Sequence, residues 1–191
     1  MKKFTTVALA LVLVLAIFAG CGKTAPAETT PAQELPGSAL EILETVWNSY
    51  SDDEKFAVIG GNIEANIMDG PGNYDMAYAE NMTWNLLVPE TQIANITEAA
   101  SMIHMMNANT FTCGVFKLAD GVTAADFGAA MEEAVMNNQW MCGFPETLLI
   151  RNFGDTYVLM AFGINDAMTP FEQHLTAVYP GMETITNVPI V

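Results

Sequence analysis

Two stretches of strand, turn, strand and helix signals constrain the fold of this chain most. In the first, "SMIHMM" and "TFTCGVFKL" flank a polar turn at Asn107–Asn109, and in the second, "TLLIRNF" and "TYVLMAFG" flank Gly154 and Asp155. Apolar, β-branched and aromatic runs on either side of turn residues predict β-hairpins. A helix is expected after each hairpin, over about 124–139 behind the capping residue Thr123, and from Thr169 onward with proline at its first position.

The two stretches align without gaps at an offset of 46, which places Thr110 opposite Thr156 and Phe116 opposite Phe162. This likeness has two interpretations: an internal duplication, or the strand and cap chemistry that any two such units share. Under either one, four strands and two following helices predict an α+β fold. We expect an antiparallel four-stranded sheet made of two ββα units, with the helices packed on one face and N-terminal helices before them.

The region before the hairpins carries helix signals at its start. Ser38 and Glu41 have the spacing of a capping box and apolar residues follow at helical spacing, so a helix is expected over about 38–50. Ser51 and Glu54 repeat the capping pattern, which predicts a second short helix that ends near 59. We interpret residues 38–191 as a single α+β domain, because this length suffices for one hydrophobic core.

The N-terminal segment differs in character from this domain. Lys2 and Lys3 precede an uncharged apolar run over 7–19, which is short for a bilayer-spanning helix but has the length of a signal-peptide core. The run ends in "AGC" at Cys21, which resembles the lipobox of bacterial lipoprotein signals. Phe18 stands where that family usually has an aliphatic residue.

The resemblance implies that residues 1–20 are a removed signal peptide and that the thiol of Cys21 carries acyl chains. Residues 21–37, rich in Pro, Thr and Ala, are then the lipidated cysteine and a flexible spacer. The domain would be held by its lipid on the extracytoplasmic side of the cell membrane. An ordinary secretory signal with a coincidental cysteine is the alternative interpretation.

Acidic residues dominate the chain beyond the signal. All 22 Asp and Glu residues follow Cys21, where four of the six basic residues remain, so the formal charge of the mature chain is −18. A charge of this sign and size opposes binding to nucleic acid and to anionic lipid headgroups. We therefore expect no nucleic-acid partner, and contact with the lipid bilayer through acylated Cys21. The acidic surface either keeps the protein soluble or favours cationic partners.

The order of segments also resembles that of a known family. The signal, the spacer, the N-terminal helices and then "MIHMMNANTFTCGVFKLADG" before a helix are similar to uncharacterised lipoproteins of low-GC Gram-positive anaerobic bacteria, a domain family of unknown function. The likeness covers roughly residues 84–180, and the alanine-rich middle helix departs from the charged helix of family members. The resemblance implies the fold and the location, and it brings no catalytic residues with it.

Thiols and imidazoles are the first candidates for chemistry. Cys113 and Cys142 can form a disulfide outside the cytoplasm or remain free, and neither lies in a signature of a nucleophilic cysteine. His104 lies in an apolar strand and His174 on the last helix, without the spacing of a zinc site. The sequence therefore predicts neither a nucleophile nor zinc.

One turn gathers oxygen ligands. Asp69, Asn73 and Asp75 could offer oxygens to Ca²⁺, but they lack the ligand order and distal Glu of an EF-hand, and a solvated turn explains the same residues. The motifs of nucleotide-binding loops and serine hydrolases are absent from the sequence. We predict no catalytic, cofactor-binding or metal-binding residues and no cofactor.

These observations favour a binding or interaction module with a protein partner in the cell envelope over an enzyme. The alternative is an extracytoplasmic hydrolase whose carboxylates, among Asp120, Glu146 and Asp166, meet in a pocket. Retaining glycosidases, for example, hold two carboxylates about 5 Å apart. A pocket lined by methionines or aromatics would indicate a small ligand, and a flat apolar patch would indicate a protein partner.

Overall fold

An eight-stranded antiparallel sheet with helices on both faces forms the body of residues 34–190, the part of the chain that the computed structural model describes. The α+β class expected from the sequence is confirmed. The expectations for the signal peptide, for acylation of Cys21 and for most of the spacer lie outside the described residues. Within residues 34–190, no helix is long and apolar enough to cross a bilayer.

The sheet is built around the two hairpins that the sequence predicts, with shorter strands added at both edges. Its hydrogen-bonded order is β2-β1-β4-β5-β7-β6-β8, and β3 also pairs with β4. The strands are β1 (Val58–Gly60), β2 (Ile67–Met68), β3 (Gly72–Tyr74), β4 (Ile96–His104), β5 (Phe111–Leu118), β6 (Thr147–Phe153), β7 (Tyr157–Gly163) and β8 (Glu183–Pro189).

Within residues 34–190, three long helices and two single-turn helices accompany the sheet. Two short 3₁₀ segments, Ile63–Ala65 and Met76–Asn81, also occur among the described residues. The helices are α1 (Ala39–Ser49), α2 (Met82–Asn85), α3 (Glu90–Ile93), α4 (Ala124–Met136) and α5 (Asn165–Val178).

The predicted four-stranded sheet is wrong in extent. The hairpins β4–β5 and β6–β7 are confirmed and supply its four central strands, and β5 pairs with β7 to join them. Short strands of two or three residues and the C-terminal β8 complete the sheet. β1 and β3 pair with β4, β8 pairs with β6, and β2 pairs with β1. The local sequence of a hairpin does not reveal these pairings.

Two glycines let β1 and β3 share one edge of β4. Gly60 pairs with Met102 and Gly72 pairs with the adjacent Ser101, so the two short strands meet end to end. A Cβ added to Gly60 would lie 2.1 Å from the backbone nitrogen of Gly72. Ser101 closes the junction, because its hydroxyl accepts from the Gly61 N–H at 3.0 Å and donates to the Gly61 carbonyl at 3.1 Å.

The predicted packing of both helices on one face is also wrong. Side chains of β4 to β7 alternate between the faces, and each face is covered by its own helices. One face packs against α1 and α5, with Phe111 and Phe171 in contact at a ring-centroid distance of 5.0 Å. The opposite face packs against α4, where Phe116 lies 5.6 Å from Phe127.

Two helix boundaries correct the sequence-based expectation. The segment after Ser51 forms a turn and then β1, so the predicted second short helix is absent from the described chain. The last helix begins at Asn165, which leaves Pro170 inside it. A carboxylate oxygen of Glu146 accepts the Asn165 N–H at 2.7 Å. The first N–H of this helix is therefore capped by a residue 19 positions away in the sequence.

Candidate functional site

The two predicted thiol candidates lie in different environments and are not bridged. Cys113 is free and wholly buried in β5, beneath α1 and α5, whereas Cys142 is free and exposed in the loop between α4 and β6. Burial raises the pKa of the Cys113 thiol well above its ordinary value. Cys113 therefore behaves as a small core residue rather than as a nucleophile.

His104 serves the turn that follows β4. Its Nδ1 accepts the backbone N–H groups of Met106 and Asn107, each at 3.3 Å, and its ring stacks on Phe56. An Nδ1 that accepts cannot carry a proton, so this arrangement uses the tautomer protonated at Nε2. The His104 ring thus holds the backbone of the turn that follows β4 in place.

His174 lies between a serine and a glutamate without forming a hydrolytic triad. Its Nδ1 is 2.9 Å from the Ser49 hydroxyl oxygen, and its Nε2 is 3.8 Å from a carboxylate oxygen of Glu54. The Ser49 hydroxyl donates to the Val46 carbonyl at 2.6 Å, which occupies its proton within α1. The ring also stacks on Tyr50 at 3.9 Å. The cluster fastens α5 to α1 and does not activate a nucleophile.

The oxygen-rich turn at 69–75 is used by the fold. The Asp69 N–H donates to the Val58 carbonyl at 2.8 Å, and Asp75 accepts the Ala77 N–H at 2.9 Å to begin a 3₁₀ segment. Asn73 lies in β3. Residues 34–190 hold no group of three or more His, Cys, Asp or Glu side chains placed to bind a metal ion.

The three carboxylates of the hydrolase alternative are not brought together. Asp120 follows the end of β5, whereas Glu146 and Asp166 lie at the other end of the central strands. The two ends of a strand of this length are roughly 25 Å apart, so Asp120 lies far from both Glu146 and Asp166. Glu146 instead accepts the first N–H of α5.

Three large apolar side chains are exposed where β4 ends and where the chain approaches β6. The sequence does not identify them as a site. Met106 follows β4, and Met141 and Phe144 lie in the loop before β6; their exposed fractions are 82%, 77% and 72%. We call these three residues the methionine surface. Met105 and Met136, each partly exposed, lie beside it in the chain.

Two asparagines join the segments that carry the methionine surface. The Asn109 side-chain amide donates to the carbonyls of Met141 and Gly143 at 2.9 and 3.0 Å, and the Asn107 amide donates to the Cys142 carbonyl at 2.9 Å. These bonds connect residues 32 to 35 positions apart. They hold the turn after β4 against the loop before β6.

A half-buried and a buried residue flank the loop segment that carries Met141 and Phe144. Trp140 packs on Phe162 at a ring-centroid distance of 5.3 Å, and Pro145 is buried. The exposed pair thus lies between two anchored residues. The short segment that exposes Met141 and Phe144 is therefore tied to the core at both ends.

The segments that carry the methionine surface lack basic residues. No lysine or arginine occurs between Lys55 and Lys117 or between Lys117 and Arg151, and both segments of the surface lie in these stretches. The three basic residues of the described chain pair with carboxylates: Lys55 with Asp52, Lys117 with Glu98 and Arg151 with Glu172. The segments of the surface therefore carry no basic residue, on a chain whose formal charge is strongly negative.

No pattern in the sequence indicates that Met106, Met141 and Phe144 are exposed. Met106 belongs to an apolar run that predicts a strand, and buried methionines are common. The paired asparagines are the usable signal, because Asn107 and Asn109 are short polar residues that can bond to backbone carbonyls. Their partners lie in another loop, which the sequence does not identify.

Comparison of the chain with protein-family models, with curated proteins and with solved structures found no significant match.

Proposed function

We propose that this protein is a lipid-anchored, extracytoplasmic binding module that takes a protein partner on its methionine surface. The observation that carries the proposal is the exposure of Met106, Met141 and Phe144 on segments joined by side-chain hydrogen bonds. The lipobox-like end of the N-terminal apolar run at Cys21 supports the anchor. The spacer rich in Pro, Thr and Ala that follows Cys21 supports the same location.

The partner we infer presents an apolar side chain flanked by basic residues. Burial of one Met or Phe side chain contributes about 1.5–3 kcal/mol, so three exposed side chains suffice for a small interface centre. The mature chain carries a formal charge of −18, which favours a cationic rim on the partner. The same charge disfavours a second copy of this chain and an anionic membrane surface as occupants.

Photo-crosslinking in the intact cell envelope tests this proposal. A photo-reactive amino acid replaces Met141, and in the matched control it replaces Ile63, which is 71% exposed but belongs to a different edge of the sheet. We expect one protein adduct from position 141 and not from position 63. Phe144→Ser should reduce that adduct by about ten-fold, because it removes a central apolar contact.

Three results would contradict the binding of a protein partner at the methionine surface. Equal adducts from positions 141 and 63 would show unselective contact. An adduct to lipid alone would show that the surface meets the membrane, and an adduct to this chain itself would show self-association. An unmodified precursor in the cytosol, found by mass spectrometry of Cys21, would overturn the anchor independently of the surface.

A further inference from the structure

A cleft is lined by residues that come before β4 in the sequence, whereas Met106 of the methionine surface comes after β4. Its volume is about 590 Å³, which is within the range of small-molecule sites. Ile93 and Ala94 of the lining lie two to three residues before β4, whereas Met105 and Met106 directly follow it. The lining residues are Glu80, Thr83, Trp84, Glu90, Ile93 and Ala94.

Trp84 is presented outward by a short, well-anchored helix. Its side chain is 82% exposed, whereas its neighbours Met82 and Leu86 are fully buried against the sheet face that α4 covers. Trp47, by contrast, is 5% exposed. A tryptophan with this exposure leaves the face of its indole free for a ligand.

Two carboxylates accompany this indole. Glu80 near the end of a 3₁₀ segment and Glu90 at the start of α3 line the cleft together with Trp84. Neither forms an ion pair with a lysine or arginine among residues 34–190, since the three basic residues there contact other carboxylates. The cleft therefore has an unbalanced negative charge.

An unused hydroxyl completes the lining. The side-chain oxygen of Thr83 is buried and has no hydrogen-bond partner within the described part of the chain. A buried hydroxyl without a partner has an unfavourable free energy, which a ligand donor or a water could relieve. Thr83 adds a polar group to the lining of the cleft.

We propose that this cleft binds the alkylammonium group of an organic cation. The cation would lie over the Trp84 indole, the aromatic ring that attracts cations most strongly, with Glu80 and Glu90 supplying opposite charge. An anion would meet two carboxylates, and a neutral apolar ligand would leave them without compensation. The group comes either from a small free amine or quaternary ammonium compound, or from a lysine side chain of a peptide.

The test is an NMR titration of the full chain with tetramethylammonium chloride, observed at the tryptophan indole N–H signals. Sodium chloride controls for ionic strength, and tert-butanol is an uncharged compound of similar shape. We expect a saturable shift of the Trp84 signal with tetramethylammonium alone. A Trp84→Ala variant, observed through the backbone amides of the cleft, should bind about two- to five-fold more weakly, and Glu80→Gln with Glu90→Gln should weaken binding further.

Tyr78→Ala is the matched control variant, because Tyr78 is an exposed aromatic residue of the same segment that does not line the cleft. It should leave the affinity unchanged. Thermal unfolding of each variant separates loss of binding from loss of fold. A second titration with a blocked trilysine peptide distinguishes the sources: tighter binding of the peptide indicates a lysine side chain, and absence of competition with tetramethylammonium indicates a free amine.

Equal shifts from tert-butanol and tetramethylammonium, shifts that sodium chloride reproduces, or unchanged affinity in Trp84→Ala would overturn the proposal. This inference goes beyond the protein-binding role and does not depend on it. Phe144→Ser should leave the titration unaltered, and Trp84→Ala should leave the crosslink from position 141 unaltered. Failure of one proposal is therefore visible without failure of the other.

Discussion

The two hairpin–helix halves of the sheet, β4–β5–α4 and β6–β7–α5, are alike in their strands and opposite in their helices. Phe111 and its offset counterpart Tyr157 both face α1 and α5, and Phe116 and Phe162 both face α4. A duplicated unit, related to the first by rotation about an axis normal to the sheet, would place both helices on one face. Because they lie on opposite faces, shared strand chemistry explains the likeness better than a copied unit does.

The strand directions explain why the helices separate. β5 and β6 both pair antiparallel with β7, so they are parallel to each other, and β7 and β8 are parallel by the same argument through β6. Each helix therefore crosses over one strand and moves in the same direction along the sheet. The two crossovers are β5–α4–β6 and β7–α5–β8, and almost all such crossovers in proteins are right-handed. Because β5 and β7 point in opposite directions, two right-handed crossovers that move the same way along the sheet must lie on opposite faces.

The largest effect we expect concerns the thiol under the α1–α5 layer. In the full chain with Cys21→Ser, Cys142 should react with a maleimide at the rate of a free exposed thiol. Cys113 should react at least about a thousand-fold more slowly, because a wholly buried thiol must wait for the protein to open. Mass spectrometry of timed samples measures both rates. Rapid labelling of Cys113, or a Cys113–Cys142 disulfide, would mean that α1 and α5 do not cover the sheet as described.

The next effect tests whether the two faces are independent. Phe127 and Phe171 are each fully buried on opposite faces. Phe127→Ala and Phe171→Ala should each lower the free energy of unfolding by about 3–5 kcal/mol, as measured by urea denaturation. The milder Phe→Leu changes keep the double variant folded, and their effects should add to within about 0.5 kcal/mol because the sheet separates the sites.

A pair on one face is the control for that cycle. Phe111 and Phe171 are in edge-to-face contact, so the double change of this pair should show a coupling of about 0.5–1.5 kcal/mol. Equal coupling for both pairs would contradict the separation of the faces.

The sequence predicts the parts of the fold whose signals are local. The hairpins are visible because strands of seven to nine residues flank turn residues, and α1 is visible because Ser38 accepts the Glu41 N–H within one turn. β1 to β3 are too short for a periodic pattern: β1 and β3 form because β4 offers them an edge, and β2 in turn pairs with β1. Their pairing depends on Gly60 and Gly72 meeting, which is a tertiary event.

The candidate site was less predictable than the fold for the same reason. Met106 looks like a strand residue in the sequence, and Met141 and Phe144 lie in an irregular loop. Their exposure depends on hydrogen bonds from Asn107 and Asn109 to residues more than 30 positions away. The Trp84 cleft likewise depends on how two single-turn helices pack, and segments of this length carry little pattern.

The smallest effect we expect concerns how each helix begins. Asp155 accepts the Ala124 N–H of α4 at 2.7 Å, and Glu146 accepts the Asn165 N–H of α5 at 2.7 Å, so carboxylates at the two ends of β6 serve helices on opposite faces. α4 has a second cap in Thr123, whereas the N-cap residue of α5 supplies no side-chain bond.

Glu146→Ala should therefore destabilise the protein by about 1–2 kcal/mol and Asp155→Ala by about 0.5–1 kcal/mol, both measured by urea denaturation. Glu133→Ala, on the exposed side of α4, controls for the loss of one negative charge. Glu146→Gln keeps an acceptor oxygen and should recover part of the loss. An Asp155→Ala cost equal to that of Glu146→Ala would mean that Thr123 does not share the capping of α4, and the two helix starts would then be equivalent despite their opposite faces.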